Sequence, residues 1–228
     1  MTGENSEILA LIPAYNEETR LAGVVAGAIQ HLPVLVVDDG STDATAPVAK
    51  VAGASVVIQE PNQGKGAALQ AGFRRAIDRG YEAVVTLDAD GQHDPAEIPK
   101  FLTAYRTGGA ELIIGRRDFS QMPPVRRLAN WLGGLAFSWA LGQRVPDNQS
   151  GYRLIGRRLM QAMLDSEEQG FEYEVEMITV CVRYGFDLDW VPIRTIYAGE
   201  SSHINPLQHV KDFARIIWKT RQERNINV

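Results

Sequence analysis

The first half of the chain alternates short apolar runs with longer stretches of mixed polarity. Continuous apolar runs are typical of strands buried on both faces of a sheet. Strands that alternate with helices of this length indicate right-handed βαβ units and a mainly parallel sheet. We predict five strands in this half, at Ile8–Ile12, Val34–Val37, Ser55–Ile58, Ala83–Leu87 and Leu112–Ile114.

The stretches between these strands predict helices. Asn16 is the predicted N-cap of the first helix, which has acidic residues in its first turn. Ser41 or Thr42 is the predicted cap of the second, and Pro95 begins the fourth at a position that tolerates proline. The predicted helices run from about 16 to 31, 42 to 51, 67 to 79 and 95 to 107.

After residue 117 the alternation ends, and the pattern predicts mostly helices. The segment Leu188–Ile193 is predicted to be an edge or antiparallel strand, because Pro192 cannot donate a ladder hydrogen bond. The other predicted elements are a helix from Pro124 to Leu141, a polar loop at 146–153, helices near 157–164 and 174–184, and a last amphipathic helix from Pro206.

These patterns predict a single α/β domain over residues 1–228, with helices flanking a mainly parallel sheet. Residues 8–117 form its first half, residues 118–205 a smaller second half, and residues 206–228 a C-terminal amphipathic helix.

The composition is that of a soluble globular protein, with 45% hydrophobic and 22% charged residues. The net charge of −5 does not favour nucleic-acid binding. The single cysteine, Cys181, excludes an intramolecular disulfide, and its apolar surroundings predict a buried inert thiol. There is no signal-peptide pattern, and the apolar segment Leu128–Leu141 is too short to span a membrane. We therefore expect a soluble, cytoplasmic protein.

The fourth predicted strand runs directly into the stretch Asp88–His93, with the sequence DADGQH. Ligands of open α/β sheets bind outside the carboxyl ends of the strands. Two carboxylates at such a place suit a hard divalent cation that is shared with substrate phosphates. The stretch therefore predicts a metal and diphosphate site. The alternative is a solvated turn, since Asp and Gly are common in turns for local reasons.

Three further strand ends are polar, at residues 15–17, 38–41 and 115–117. Because the carboxyl ends of parallel strands meet at one edge, these residues can converge with Asp88 and Asp90. Carboxylates there are expected to hold a metal and the ribose or base of a nucleotide. A helix-capping turn is the alternative for Asp38 or Asp39.

Lys65 lies between two glycines at a predicted helix start, where a diphosphate is favoured. The stretch does not match the Walker pattern, because Gly66 stands where Ser or Thr is required. A solvated helix cap is the alternative. No G-x-G-x-x-G follows the first strand, which argues against a nicotinamide or flavin enzyme.

Taken in order, these motifs resemble those of the family 2 glycosyltransferases of GT-A fold. The resemblance rests on PAYNE at 13–17, DDGSTD at 38–43, NQGKG at 62–66 and DADGQH at 88–93. The chain is more closely similar to the polyprenyl (dolichyl) phosphate sugar synthases, through Arg116-Arg117, DNQSGYR at 147–153 and VPI at 191–193. The similarity spans about residues 8–205 and implies a Rossmann-like, mainly parallel sheet flanked by helices.

The resemblance implies a nucleotide-sugar donor together with Mg²⁺ or Mn²⁺. Asp88 and Asp90 match the D-x-D pair that binds the metal, with help from Gln92. The family's basic residue near the end of the similarity is replaced by Ser202-His203, so His203 is either a metal or phosphate ligand or a surface histidine. The residues that the resemblance assigns to the donor are Pro13, Ala14, Tyr15, Glu17, Asp39, Lys65, Asp88, Ala89 and Asp90.

The acceptor decides the remaining roles. A lipid phosphate is already an anion and requires no general base, so Arg116, Arg117, Arg126 and Arg127 would position its oxygens. A hydroxyl acceptor requires a base, for which Asp147 is the candidate. The alternatives are a turn residue at Asp147 and a solvated helix start at Arg126 and Arg127. The same loop supplies the residues assigned to acceptor binding, Ser150, Gly151 and Tyr152.

Basic and aromatic residues share the helix Pro124–Leu141, and the C-terminal helix is basic on its polar face. Both suit the surface of a membrane, where a prenyl acceptor is found, and ordinary core packing is the alternative. This predicts a cytoplasmic protein that lies peripherally at the inner face of the membrane. Glu172, Glu174 and Glu176 are predicted to form a solvated helix face, and a role in the site is the alternative.

The sequence thus predicts an inverting, metal-dependent hexosyltransferase that uses a GDP- or UDP-sugar and, by preference, a polyprenyl phosphate acceptor. One alternative is the same enzyme class with a hydroxyl acceptor, such as a glycan or a small metabolite. Another is a non-catalytic sugar-nucleotide-binding protein, against which the intact pair of Asp88 and Asp90 argues.

Overall fold

A computed structural model describes residues 7–118, 124–166, 168, 172–194, 215, 218 and 221 of the chain. Within these residues a seven-stranded sheet carries helices on both faces. The strands are β1 (Ile8–Ala14), β2 (Val34–Asp38), β3 (Ser55–Ile58), β4 (Ala83–Thr86), β5 (Leu112–Arg117), β6 (Arg153–Gly156) and β7 (Leu188–Ile193). The helices are α1 (Leu21–Ala28), α2 (Thr45–Val51), α3 (Lys65–Asp78), α4 (Ile98–Gly108), α5 (Pro124–Leu141), α6 (Arg157–Met163) and α7 (Glu172–Arg183).

The strand order is β3-β2-β1-β4-β6-β5-β7. All five strands predicted in the first half are present, and the predicted α/β class with a mainly parallel sheet is confirmed. The strand β7 pairs with β5 in parallel at the edge of the sheet, so the predicted edge position is confirmed and the antiparallel alternative is wrong.

The strand β6 was not predicted: Arg153 was assigned to a polar loop, and residues 154–156 were assigned to no element. It lies between β4 and β5 and is antiparallel to both. Its register pairs Arg153 with Thr86 on one side and with Ile114 on the other. The second half of the chain therefore supplies a central strand to the sheet of the first half.

Two apolar layers cover the sheet, because alternate residues of each strand point to opposite faces. On β1, Ile8, Ala10 and Ile12 belong to the layer under α1, α2 and α4. Leu9 and Leu11 belong to the layer under α3, α5, α6 and α7. Gly72 of α3 packs on Leu11 so closely that a methyl group there would lie 2.4 Å from the nearest leucine carbon. The sheet is thus buried on both faces, as its apolar strands predict.

The helix starts differ from the predictions made from capping residues. Asn16 is not an N-cap: it has a positive φ of 55°, and α1 begins only at Leu21. Neither Ser41 nor Thr42 caps the next helix, which begins at Thr45. These polar residues instead bond to one another across the two loops.

Other features agree with the sequence. Cys181 is buried, and burial raises the pKa of its thiol to about 12, as expected for an inert cysteine. Across the part of the chain that is described, no helix has both the length and the hydropathy needed to cross a bilayer. The predicted C-terminal helix lies almost wholly outside the described residues, which include only Arg215, Trp218 and Arg221 of it.

Candidate active site

A cavity of about 520 Å³ opens at the carboxyl edge of the sheet, beside the ends of β1, β2 and β4. All nine residues that the resemblance assigns to the donor line it, together with Asn62, Gly64 and Ala68. The sheet therefore brings together strand ends that the sequence predicted to converge. Their contact with a donor stays a prediction.

Hydrogen bonds between the loops that follow β1 and β2 hold one side of this cavity. The Asn16 N–H donates to Ser41 Oγ at 2.9 Å, and Asn16 Oδ1 accepts from the Thr42 N–H at 2.9 Å. The Glu17 N–H donates to Thr45 Oγ1 at 2.8 Å. These contacts fix Glu17 at the cavity edge, where partial burial and the nearby Asp90 raise the pKa of its carboxyl.

Asp38 and Asp39 have different roles. Asp38 Oδ1 accepts from the Ser41 N–H at 3.0 Å, as a turn residue does. Asp39 instead holds the loop that precedes α3, because its carboxylate accepts the N–H groups of Gln63 at 2.9 Å and Gly64 at 2.7 Å. Asp38 therefore closes a turn but does not cap α2, which begins at Thr45, while Asp39 shapes the glycine-rich loop at the cavity.

Lys65 links two carboxylates inside the site. Its ammonium group donates to Asp88 Oδ1 at 2.5 Å and lies 3.1 Å from Glu174 Oε1. Glu174 comes from α7 and its side chain is only 5% exposed, so the prediction of a solvated face is wrong for this residue. A buried carboxylate beside a lysine is instead part of the site.

The charges of this cluster stabilise one another. Burial alone would raise the pKa of Asp88, but the charge of Lys65 and its hydrogen bond outweigh burial and hold that pKa well below its usual range. Burial would lower the pKa of Lys65, but Asp88 and Glu174 raise it above its usual value. The site therefore contains an ionised Lys65 between the carboxyl groups of Asp88 and Glu174.

His93 fixes the start of the acidic turn. The Asp88 N–H donates to His93 Nδ1 at 3.0 Å, so Nδ1 carries no proton. Burial lowers the pKa of His93, which is consistent with a neutral ring. In the same turn, Asp90 accepts from the backbone and side-chain amides of Gln92, at 2.9 and 2.7 Å. The turn thus presents Asp88 and Asp90 in fixed orientations.

The loop before β6 packs against this turn. The centroid of the Tyr152 ring lies 4.9 Å from that of His93 and 4.6 Å from that of Phe101. The Tyr152 hydroxyl donates to the Asp94 carbonyl at 3.0 Å. Tyr152 is fully buried with its hydroxyl engaged, and Ser150 is only 1% exposed. Both residues therefore support the loop from inside, and their assignment to acceptor binding stays a prediction.

Gly151 borders the acidic cluster. A methyl group at this position would lie 2.7 Å from Glu174 Oε1, 3.0 Å from Lys65 Nζ and 3.1 Å from Asp88 Oδ2. Glycine is therefore needed here because the ends of three side chains fill the space that a Cβ would take. Its predicted acceptor role stays a prediction, but the structure places it on the donor side.

Arg153 organises the backbone of this region and is itself almost wholly buried. Its guanidinium donates to the carbonyl of Ser150 at 2.7 Å and to the carbonyl of Glu174. Guanidinium has several donors in a rigid fork, which suits it to hold two backbone segments together. Arg153 therefore joins the loop before β6 to the start of α7.

Asp147 was the candidate general base, and its carboxylate is bonded to a neighbouring arginine. Both of its oxygens are engaged by Arg117, which donates from Nε at 2.8 Å and from Nη2 at 2.9 Å. The Asp147 side chain is also only 1% exposed. In this structure Asp147 therefore anchors Arg117, and its role as a base stays a prediction.

The remaining predicted residues are placed as follows. Arg116 is exposed at the end of β5, and Arg127 is exposed on α5. Arg126 also lies in α5, but its side chain is outside the described part, as is the whole of His203. In the described part of the chain, no three His, Cys, Asp or Glu side chains are grouped as metal ligands.

Sequence reasoning missed two residues of the site, His93 as the partner of Asp88 and Arg153 as a buried anchor, and it gave Glu174 a site role only as the alternative. His93 directly follows the acidic motif, and this proximity is a usable signal. Glu174 lies between Glu172 and Glu176 in a helix buried along most of its length, so nothing in the pattern separates it from its neighbours.

Comparisons with known proteins show the family to which the chain belongs. The model of the family Glycosyl transferase family 2 matches residues 10–165. An undecaprenyl-phosphate mannosyltransferase from Micrococcus luteus is 35% identical over 201 residues, which cover 82% of this chain and 82% of that protein. A polyprenol monophosphomannose synthase from Mycolicibacterium smegmatis is 32% identical over 210 residues, which cover 81% of this chain and 76% of that protein.

Among solved structures, the fold is similar to a glucosyl-3-phosphoglycerate synthase from Mycobacterium tuberculosis in complex with Mn²⁺, uridine diphosphate and glucosyl-3-phosphoglycerate. The TM-score is 0.71 at 24% sequence identity, over 95% of this chain and 78% of that chain. At this identity the likeness shows the fold, which is the predicted GT-A type. With the family match over more than half of its length, the chain belongs to the glycosyl transferase family 2 and is a glycosyltransferase.

Proposed function

We propose that the chain transfers a sugar from a nucleoside diphosphate sugar to a polyprenyl phosphate, with inversion and with a divalent cation. The observation that carries the proposal is the cavity in which Glu17, Asp39, Lys65, Asp88 and Asp90 meet at one edge of the sheet. The names of the two curated relatives, a mannosyltransferase and a mannose synthase acting on polyprenyl phosphates, support this choice of acceptor.

The donor side of the proposal rests on the loop before α3. Gly64 has a φ of 94°, which lets the backbone turn into a helix whose first residue is Lys65. Helix N-termini and a lysine suit a diphosphate. The exposed Tyr15, with Pro13 beside it in the cavity, offers an apolar surface to the nucleotide base.

Asp88 and Asp90 are the residues that would hold Mg²⁺ or Mn²⁺. Mg²⁺ is commonly held by one or two carboxylates with substrate phosphates as the other ligands, and this donor set fits that pattern. Gln92 bonds to Asp90 and is proposed to assist at the metal. When bound, a divalent cation stabilises the negative charge that develops on the leaving nucleoside diphosphate.

The acceptor side rests on arginines. Arg116 and Arg117 follow the apolar part of β5, and Arg127 is exposed on α5. A guanidinium group can donate two parallel hydrogen bonds to the oxygens of one phosphate. A phosphate acceptor attacks the anomeric carbon as an anion, from the face opposite the leaving group, which gives inversion. A hydroxyl acceptor is disfavoured, because the candidate base Asp147 has both oxygens bonded to Arg117.

We also propose a peripheral membrane contact through α5. Leu135 and Trp139 are 49% and 63% exposed on this helix. The central carbon of the Arg221 guanidinium lies 4.7 Å from the centroid of the Trp139 ring. Exposed aromatic and basic side chains of this kind favour the interfacial region of a membrane.

The test is a transfer assay with UDP- and GDP-sugars, Mn²⁺, and undecaprenyl phosphate or its dephosphorylated alcohol as acceptor. The proposal predicts transfer to the phosphate alone, lost on chelation of the metal and in Asp90→Ala. The matched control is Asp165→Ala, which removes an exposed aspartate and should keep full activity. Transfer to the alcohol at an equal rate, or activity that survives in Asp90→Ala, contradicts the proposal.

A further inference from the structure

We propose that Glu174 is a positioning residue of the sugar-transfer site, which acts through Lys65 on Asp88. This inference rests on the proposed function, because Asp88 is taken as a residue that meets the donor and its metal. Glu174 is contributed by α7, in the second half of the chain. Lys65 and Asp88 come from the first half.

The geometry places the lysine ammonium between two carboxylates. Lys65 Nζ lies 2.5 Å from Asp88 Oδ1 and 3.1 Å from Glu174 Oε1. An ammonium group has three donors, and anions on two sides restrict where it can lie. Glu174 therefore keeps Lys65 on the Oδ1 side of Asp88.

The second oxygen of Asp88 is left for a ligand. Asp88 Oδ2 is 3.6 Å from the unprotonated His93 Nδ1, which offers it no hydrogen bond. Asp88 lines the cavity, so Oδ2 is the oxygen that can face a ribose hydroxyl or a cation. If Glu174 lost its charge, the ammonium would be held by Asp88 alone and could bridge both oxygens, which would cover Oδ2.

Two further contacts show that the position of Glu174 is fixed. Its backbone carbonyl accepts from the buried Arg153, so the start of α7 cannot move independently of the loop before β6. Its Oε1 would lie 2.7 Å from a methyl group at Gly151, so the carboxylate lies close against this backbone. The Glu174 side chain is thus built into the cluster and is only 5% exposed.

Glu174 thus acts at one remove from the cation, because it holds the ammonium group that orients Asp88. Partners that orient a metal-binding carboxylate typically change affinity by about 10- to 100-fold when they are removed.

The test is a double-mutant cycle on the full chain, with UDP and GDP binding measured by calorimetry in the presence of MnCl₂. Glu174→Gln is expected to weaken nucleotide binding by about 10- to 100-fold. In a Lys65→Met background the same substitution should change affinity by no more than about twofold, because its effect passes through Lys65. Glu172→Gln, in the same helix and with the same change of charge, is the matched control and should bind like the parent chain.

Equal weakening by Glu174→Gln in both backgrounds would mean that Glu174 acts independently of Lys65, and would overturn the inference. So would unchanged affinity in the parent background. If Glu174→Gln does not fold, Glu174→Asp carries the same cycle, since it keeps the charge and shortens the reach by one methylene. Coupling between the two positions is also measured without nucleotide, by urea unfolding of the four chains.

Failure of the proposed function is distinguishable from failure of this inference. If the parent chain binds neither UDP nor GDP with Mn²⁺, the donor proposal itself is wrong. If the parent chain binds and the cycle shows no coupling, only the role of Glu174 is wrong.

Discussion

Arg117 and Asp147 form a bidentate ion pair, with Arg117 Nε 2.8 Å from Asp147 Oδ2 and Nη2 2.9 Å from Oδ1. The Arg117 N–H also donates to Oδ2 at 3.2 Å. The carboxylate therefore fixes both the guanidinium and the backbone at the end of β5. This is the strand end at which Arg116 is exposed.

Removing Asp147 should destabilise the fold. Loss of one partner from a buried ion pair leaves the other charge uncompensated and costs about 3–5 kcal/mol. We expect a loss of about 3 kcal/mol in the free energy of unfolding for Asp147→Ala, measured by urea denaturation. Asp189→Ala is the control, because Asp189 is exposed and accepts only from its neighbour Trp190 among the bonds described. Unchanged stability, together with lost turnover, would return Asp147 to the role of a base.

Gly151→Ala should impair nucleotide binding more than stability. The added methyl group would crowd the ends of Glu174, Lys65 and Asp88, which can move aside at modest cost to the fold. We expect a loss of about 1 kcal/mol in stability and at least about tenfold weaker binding of UDP or GDP with Mn²⁺. Calorimetry and urea unfolding measure the two effects separately.

Gly23 supplies the control for this substitution. It lies in α1 with no atom within 4 Å of an added Cβ, so Gly23→Ala should stabilise the helix by about 0.5–1 kcal/mol and leave binding unchanged. Equal binding by both alanine variants would show that the space at Gly151 is not needed.

His93 should make stability depend on pH below neutrality. Burial lowers the pKa of His93 from the ordinary value of 6.5. The contribution of the neutral His93 to the free energy of unfolding is therefore fully present above pH 6.5. It is lost as the pH falls from 6.5 through the pKa of His93 in the folded protein. In His93→Asn an amide oxygen can still accept from the Asp88 N–H but does not titrate.

The measurement is urea unfolding of both chains from about pH 5 to 8. The stability of the parent chain relative to His93→Asn should be constant above pH 6.5 and should shrink on acidification. A difference that grows as the pH falls would mean that His93 is charged in the folded state.

The α5 surface gives a prediction about lipid binding. Trp139 is 63% exposed, and burying a side chain of this size in a membrane interface contributes about 1.5–3 kcal/mol. Trp139→Ala should therefore weaken binding to vesicles that contain anionic lipid by about tenfold or more in a sedimentation assay. Tyr184→Ala is the control, since Tyr184 is an aromatic residue of similar exposure, 56%, that directly follows α7 and does not belong to α5. Equal loss in both variants, or no binding by the parent chain, contradicts the membrane proposal.

The fold of the first half could be predicted because its strands are continuous apolar runs separated by complete helices. The strand β6 could not, because it has only four residues, with Arg153 at its start and Gly156 at its end. A central strand is expected to begin with an apolar residue, and here the buried arginine is satisfied by backbone carbonyls instead. Tertiary contacts, which a local pattern does not contain, decide its placement.

The site was predictable where it follows strand ends and unpredictable where it depends on helix packing. The acidic turn and the glycine-rich loop follow strands and converge by topology alone. The helix caps were predicted wrongly because Asn16 and Ser41 bond to each other across two loops instead of to their own helices. The sequence could not single out Glu174 because only the burial of α7 distinguishes it from Glu172.

The position of β6 also has a consequence for how the chain is made. β5 pairs only with β6 and β7 among the described strands, and both lie later in the chain. During synthesis, residues 112–117 therefore leave the ribosome before any strand that can pair with them, and β4 keeps an open edge until residue 156 has emerged. A chain interrupted after residue 117 would present unpaired apolar strands, which favour aggregation. The donor-binding half should thus require the second half for folding as well as for catalysis.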